Sequence, residues 1–318
     1  MDLQFISSTS PGQALTLEWL ETNGLGGYAS STVLNCHTRR YHGLLVANLK
    51  EPPGRHVLLS KFEDSLRAKG REYYFSCHQY PGLFFPDHDP LPASFSIGDC
   101  PRFSYRAEEM CVHKSVMLVR GRDHLMVRYD IEACPGPGVL RLRPFLAYRS
   151  YHSLSRQNPF LRVHTAGIRN GFMLRPYEGM PPLYIRTSVK SRFSPDPVWY
   201  YNFEYEAERQ RGYEGHEDLF QPGILDVEVR KGSTVIVSVS LQDFKKQTGK
   251  IWTEEQDRRI RERAGDRSVA DRFEHREDRT NLDNLIAAGS QFLIRTPAGR
   301  PAVIAGYHWF NDWGRDTL

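Results

Sequence analysis

The sequence predicts a mainly β fold, a large sandwich or barrel-like sheet assembly, on three observations. Short runs rich in β-branched and aromatic residues recur up to about residue 245, broken by Gly and Pro clusters. Within 124–131, Leu125, Val127 and Tyr129 alternate with His124, Met126 and Arg128, the period of two that a pleated strand imposes. Aromatic side chains, which favour pleated surfaces, make up 12% of the chain as 17 Phe, 16 Tyr and 5 Trp.

Taken in order, residues 44–48, 57–60, 71–75, 112–120, 124–131 and 139–148 read as strands, followed by 161–164, 171–175, 183–188, 223–229 and 233–241. The turn-forming stretches 134–138 (Cys-Pro-Gly-Pro-Gly) and 180–182 (Met-Pro-Pro) separate members of this series. Near residue 242 the character changes. Residues 244–280 are dominated by Lys, Arg, Glu and Asp, which predicts a partly exposed helix, with a solvated linker as the alternative. Leu282, Leu285, Ile286, Gly289, Phe292 and Leu293 then recur at helical spacing. Thr280 or Asn281 can cap this helix, and Pro297 with Gly299 can end it. Three parts are expected: a β-sandwich domain over 1–243, a charged helical linker over 244–280, and the start of a further domain over 281–318. The stretch after the last helix is too short to close a core of its own.

Composition narrows the function. With 40% hydrophobic and 25% charged residues the chain reads as an ordinary soluble protein. A net charge of +4, from 42 basic and 38 acidic residues, is too small and dispersed to point to nucleic acid or a membrane surface. Neither a signal peptide nor an apolar run long enough to span a membrane stands out. The five cysteines (Cys36, Cys77, Cys100, Cys111, Cys134) include no close pair and read as reduced thiols of a cytoplasmic protein, neither a zinc site nor a disulfide frame.

The densest chemistry is in the tail, Gly306-Tyr-His-Trp-Phe-Asn-Asp-Trp-Gly-Arg-Asp316. Aromatic faces can stack on a pyranose, while Asp and Arg together can grip vicinal hydroxyls. A core cluster would explain the aromatics but not the charges among them. Trp309, Phe310, Asp312, Trp313, Arg315 and Asp316 are therefore the candidate sugar-binding set. Glycines over 23–28 suggest a phosphate loop, yet the Gly-Lys-Ser/Thr ending is missing, and they serve better as turns with positive φ. His37 and His42 have no third metal ligand nearby in sequence. Arg39, Arg40, Tyr41 and His42 could serve a domain interface or reach toward a sugar, and both readings stay open. Glu217 and Asp218 are a carboxylate pair for which interface or sugar contact is favoured over catalysis.

These residues carry a resemblance. The tail resembles the opening of the amylo-α-1,6-glucosidase domain of glycogen debranching enzymes, with His308 where that motif commonly has proline. Asn23-Gly-Leu-Gly-Gly-Tyr-Ala-Ser-Ser31 and Thr38-Arg-Arg-Tyr-His-Gly-Leu-Leu-Val46 are similar to the N-terminal domain of the bacterial and archaeal enzymes. Leu142-Arg-Pro-Phe-Leu146, Tyr151-His152 and Glu217-Asp-Leu-Phe-Gln-Pro-Gly223 follow in the family's order.

The resemblance implies that the β part is a large antiparallel β-sandwich, supersandwich-like, and that residues 281–318 begin an α/α toroid like that of glucoamylases, truncated here. It implies inverting hydrolysis of α-1,6-linked glucose at glycogen branch points, with two carboxyl groups roughly 6.5–9.5 Å apart to admit a water. By the same likeness Arg315 and Asp316 hold the terminal glucose, and Trp309 and Trp313 shape the pocket. The general acid and base are expected beyond Leu318, so these residues alone should be inactive. The implied partners are a branched α-glucan and the chain's own catalytic domain, with no metal or organic cofactor. Two other classes stay open: a stand-alone carbohydrate-binding module, and a hydrolase working within the sandwich through Glu217, Asp218 or Asp316.

Overall fold

The computed structural model describes residues 11–87, 92–244, 246–270, 276–296 and 298–311. A short helix α1 (Pro11–Ala14) leads into β1 (Glu18–Thr22), β2 (Tyr28–Thr32), β3 (Gly43–Leu49), the long β4 (Gly54–Ala68) and β5 (Arg71–Tyr74). Next come β6 (His78–Tyr80), β7 (Leu83–Phe85), β8 (Ser94–Ile97), β9 (Pro101–Ala107), β10 (Met110–Leu118), β11 (His124–Ala133) and β12 (Gly138–Ser150). The chain continues through β13 (Thr165–Ile168), β14 (Gly171–Leu174), β15 (Leu183–Thr187), β16 (Arg192–Glu204), the short α2 (Glu206–Arg209), β17 (His216–Val229) and β18 (Thr234–Ser240). Helices α3 (Thr248–Ala270) and α4 (Arg276–Ser290) and the hairpin β19 (Leu293–Arg295) and β20 (Pro301–Val303) complete it.

The strands form two large antiparallel sheets, as a mainly β sandwich requires. One runs β1-β2-β3-β4-β12-β17-β16 with β5 also paired to β4; the other runs β13-β14-β15-β18-β11-β10-β9-β8. Alternation along each strand sends one set of side chains between the sheets. Leu66, Leu140, Leu142, Leu225 and Val227 from the first meet Phe103, Val112, Leu125, Val127, Tyr129 and Val237 from the second in one continuous core.

The outer faces are covered as well, so Met126 is as buried as Leu125. On the second sheet, α3 lays Ile251 and Trp252 on Met117, Val119, Met126 and Ile236. Arg259 of α3 anchors this packing, donating to Glu21 Oε2 at 2.7 Å and to the carbonyl of Leu118 at 2.8 Å. On the first sheet, Tyr28, Val46, Val57, Phe145 and Tyr151 receive Ile294, Ala302, Ile304 and Tyr307. That second contact positions the tail.

Several local expectations change. Residues 161–164 are not a strand; the strand starts at Thr165 and pairs with β14. β16 was not legible because it carries Pro195 and Pro197, which cost ladder hydrogen bonds. It is tolerated as the edge of its sheet, with a register shift between Pro195 and Val198. Helix α4 begins before Thr280 and Asn281, so neither caps it, and Gly299 turns the β19–β20 hairpin with φ +79° instead of closing the helix. Pro297 lies outside the described residues. Among the described residues no helix is long and apolar enough to cross a membrane.

Candidate functional site

The tail is held from beneath by Arg55, which stands at the start of β4 and is only 2% exposed. Its Nη1 donates to the carbonyls of Tyr307 and Phe310, both at 2.8 Å, and its Nε to the carbonyl of Gly26 at 2.9 Å. The guanidinium lies 5.1 Å from the Tyr307 ring centroid, 5.5 Å from that of Tyr151 and 5.8 Å from that of Tyr28. Delocalised charge tolerates such a weakly hydrated aromatic surround better than an ammonium would. The Tyr307 hydroxyl also donates to the carbonyl of Gln291 at 2.8 Å.

With the backbone fixed, the side chains of Trp309 and Phe310 are turned outward, 38% and 46% exposed. The guanidinium groups of Arg39 and Arg211 lie 5.2 and 5.9 Å from the Trp309 ring centroid, with Tyr41 edge-on at 6.4 Å. Tyr213, itself exposed, lies under Arg40 and Arg211. The result is a shelf of aromatic faces and cationic edges, assembled from the loop after β2, the loop after α2 and the tail.

Arg39, Arg40, Tyr41 and His42, for which an interface or a sugar contact was expected, tie this shelf to its surroundings. Arg40 donates to Glu208, to the carbonyl of His152 at 3.0 Å and to the carbonyl of Glu214 at 3.0 Å. The Tyr41 hydroxyl meets His152 Nδ1 at 3.3 Å. Arg39 donates to Glu18 Oε1 at 2.6 Å, and His42 Nε2 approaches the same oxygen at 3.3 Å. Burial would raise the Glu18 carboxyl, but its contacts with His42 and Arg39 outweigh that and hold it at about 2. His308 Nε2 lies 2.9 Å from Ser30 Oγ, and burial pulls its imidazole down to about 3.

Glu18, His42 and His308 bring potential metal-ligand atoms within 4.8 Å of one another. The hydrogen bonds disfavour an ion there. The backbone N–H of Thr38 donates to His42 Nδ1, so the proton of neutral His42 is on Nε2, the atom facing Glu18. Arg39 already neutralises the carboxylate.

Glu217 and Asp218, for which an interface or a sugar contact was expected, are both buried. Glu217 is fully buried and accepts from Arg149, from Tyr205, and from the backbone and hydroxyl of Ser155 at 2.9 and 3.0 Å. Asp218, also buried, accepts from the backbone N–H groups of Asn202 and Gln157 at 3.0 and 3.1 Å. Both tie loops together from inside. Asp312, Trp313, Arg315 and Asp316 lie outside the described residues. Glu18, Arg55, Glu208, Arg211 and Tyr213 escaped the sequence reading, since each is remote in sequence from the motif it supports. An open groove of about 840 Å³ at the far end of β4 and β12, lined by residues such as Arg67, Arg71 and Asp226, involves none of the expected site residues.

No curated protein matches the chain. Similar solved structures include a bacterial glucoamylase complexed with acarbose, 10% identical, covering 88% of this chain and 36% of that one at a TM-score of 0.36. A heparan sulfate lyase HepC from Pedobacter heparinus is 9% identical over 57% of this chain and 24% of its own, at 0.33. A 4-alpha-glucanotransferase from Thermococcus litoralis is 13% identical over 59% and 28%, at 0.29. At such TM-scores these likenesses carry no inference, and the chain spans little more than a third of the first structure's length. Family models are more decisive. Residues 17–236 match the glycogen debranching enzyme N-terminal model, and residues 287–318 match amylo-alpha-1,6-glucosidase. With the first match covering most of the chain, this protein belongs to the glycogen debranching enzyme family and carries its N-terminal domain.

Proposed function

We propose that this chain is the glucan-facing support of an amylo-α-1,6-glucosidase that hydrolyses α-1,6-linked glucose at the branch points of an α-glucan. One observation carries the reading: Trp309 is partly exposed beside the guanidinium groups of Arg39 and Arg211, on a backbone held by the buried Arg55. Pyranose rings offer C–H faces to aromatics and hydroxyls to guanidinium groups, so the shelf suits a neutral sugar. Phe310, together with Asp312, Trp313, Arg315 and Asp316 further along the tail, would extend this surface.

In this reading the two proton-transfer carboxylates lie outside these 318 residues. Glu18, Glu208 and Glu217, carboxylates tied to the shelf or beneath it, are all engaged in ion pairs. The sandwich then contributes binding and orientation, while a helical domain contributes the acid and base. Trp309→Ala in the complete enzyme should raise KM for a branched limit dextrin about fivefold, given roughly 1 kcal/mol for an aromatic contact. Unchanged KM and kcat would remove the shelf from substrate binding. The 318-residue chain by itself should release no glucose from that dextrin; turnover would place the carboxylates within it.

A further inference from the structure

On the face of β10 turned away from the inter-sheet core, Cys111 and His113 flank Val112, whose side chain points inward. The β10–β11 ladder shifts register here, with Cys111 opposite Ala133 but Val112 opposite Ile131, so Glu132 is an extra residue in a bulge. It swings beside the other two. His113 Nε2 lies 2.6 Å from Glu132 Oε2, Cys111 Sγ lies 3.4 Å from the same oxygen, and Sγ and Nε2 are 3.9 Å apart.

We propose that Cys111, His113 and Glu132 form a binding site for a zinc-class divalent transition metal, with water as the fourth ligand. Metal–ligand bonds of about 2.3 Å to sulfur and 2.0–2.2 Å to nitrogen and oxygen set neighbouring ligand atoms of a tetrahedron roughly 3.3–3.6 Å apart. Two of the three observed separations are within a few tenths of an ångström of that. The third needs a small outward rotation of Glu132, whose side chain is 55% exposed. One thiol, one imidazole and one carboxylate favour zinc and its neighbours over magnesium or calcium, which want oxygen alone.

An orienting group is also present. Ser104, the cross-strand partner of His113 on β9, places Oγ 2.8 Å from His113 Nδ1. When a metal takes the Nε2 lone pair, the imidazole proton sits on Nδ1 and the serine hydroxyl rotates to accept it. The thiol gives up its proton to solvent, so one proton is released per metal bound. Such an ion would staple β10 to β11 where the bulge interrupts their hydrogen bonds. The fold therefore supplies what cysteine spacing cannot show, since the third ligand comes from the neighbouring strand.

Titrating the complete protein, kept reduced, with Co2+ tests the site. One equivalent should give a sulfur-to-cobalt charge-transfer band, displaced by Zn2+ and unaffected by Mg2+. Cys111→Ser should abolish the band. Glu132→Gln, at a surface position that leaves the fold intact, should weaken Co2+ binding at least tenfold, and Ser104→Ala by about 10–100-fold. Absence of the band in the unaltered protein, its survival in Cys111→Ser, or unchanged affinity in Glu132→Gln would each overturn the proposal.

Discussion

Arg55 and Tyr307 are joined twice, by a 2.8 Å hydrogen bond from the guanidinium to the tyrosine carbonyl and by stacking of the same guanidinium 5.1 Å from the tyrosine ring. This contact is one of those that fasten the segment matched to the glucosidase model onto the first sheet. Arg55→Ala leaves the carbonyls of Gly26, Tyr307 and Phe310 without their donor, and should destabilise the protein by about 2–4 kcal/mol. Arg55→Lys should recover less than half, because an ammonium cannot reproduce the fork. Urea unfolding measures both; a loss under 0.5 kcal/mol, roughly the scatter of surface changes, would deny the clamp its role.

Glu217→Gln separates an architectural carboxylate from a catalytic one. Glu217 is the buried counterion of Arg149, whose Nη2 also holds the carbonyl of Arg40 at 2.8 Å. Unpairing a buried charge costs roughly 3–5 kcal/mol. The variant should melt well below the parent, while glucose release per folded molecule in the complete enzyme stays within a few-fold. Normal stability with abolished turnover would instead make Glu217 the acid or base.

Stability should fall as the medium is acidified from pH 6.5 to 4. Burial lowers His78 and His124 to about 4, with Lys61 adding to the effect at His78 and Arg122 at His124. An unfolded imidazole takes its proton near 6.5, so in that window the unfolded state binds more protons and gains on the folded one. The loss is on the order of 3 kcal/mol for each histidine and levels off above pH 6.5. His124→Gln should flatten the slope of the urea midpoint against pH; an identical slope would assign the acid sensitivity elsewhere.

Asn23→Ala tests the glycine-rich turn between β1 and β2. The Asn23 side-chain Oδ1 accepts from the N–H groups of Leu25 and Gly27 at 2.9 and 3.0 Å, and its side-chain amide Nδ2 donates to Asp123 at 2.9 Å. Gly24 and Gly26 have φ of +71° and +86°, a conformation the asparagine bridge stabilises from outside. Loss of the bridge should cost about 2–3 kcal/mol in chemical denaturation. A near-neutral result would mean that the glycines hold the turn unaided.

How much of this was written in the sequence differs by level. Alternation in 124–131, the turn clusters and the abundance of aromatics were enough for a mainly β sandwich, because period and propensity are local properties of a chain. The tail motif with the 23–31 and 38–46 stretches was enough for the family. The sequence also singled out Trp309, Phe310 and the arginines of the 39–40 pair. What it could not assign was the partner of each charge. Arg40 is tied to Glu208 and Arg55 to Tyr307 across separations of 168 and 252 residues, and Glu217 turned inward although it sits in a polar stretch. Those pairings depend on which strands become neighbours, a choice made by the burial of both sheets at once. The same holds for Glu132, which reaches Cys111 and His113 only because a bulge in β11 falls beside them.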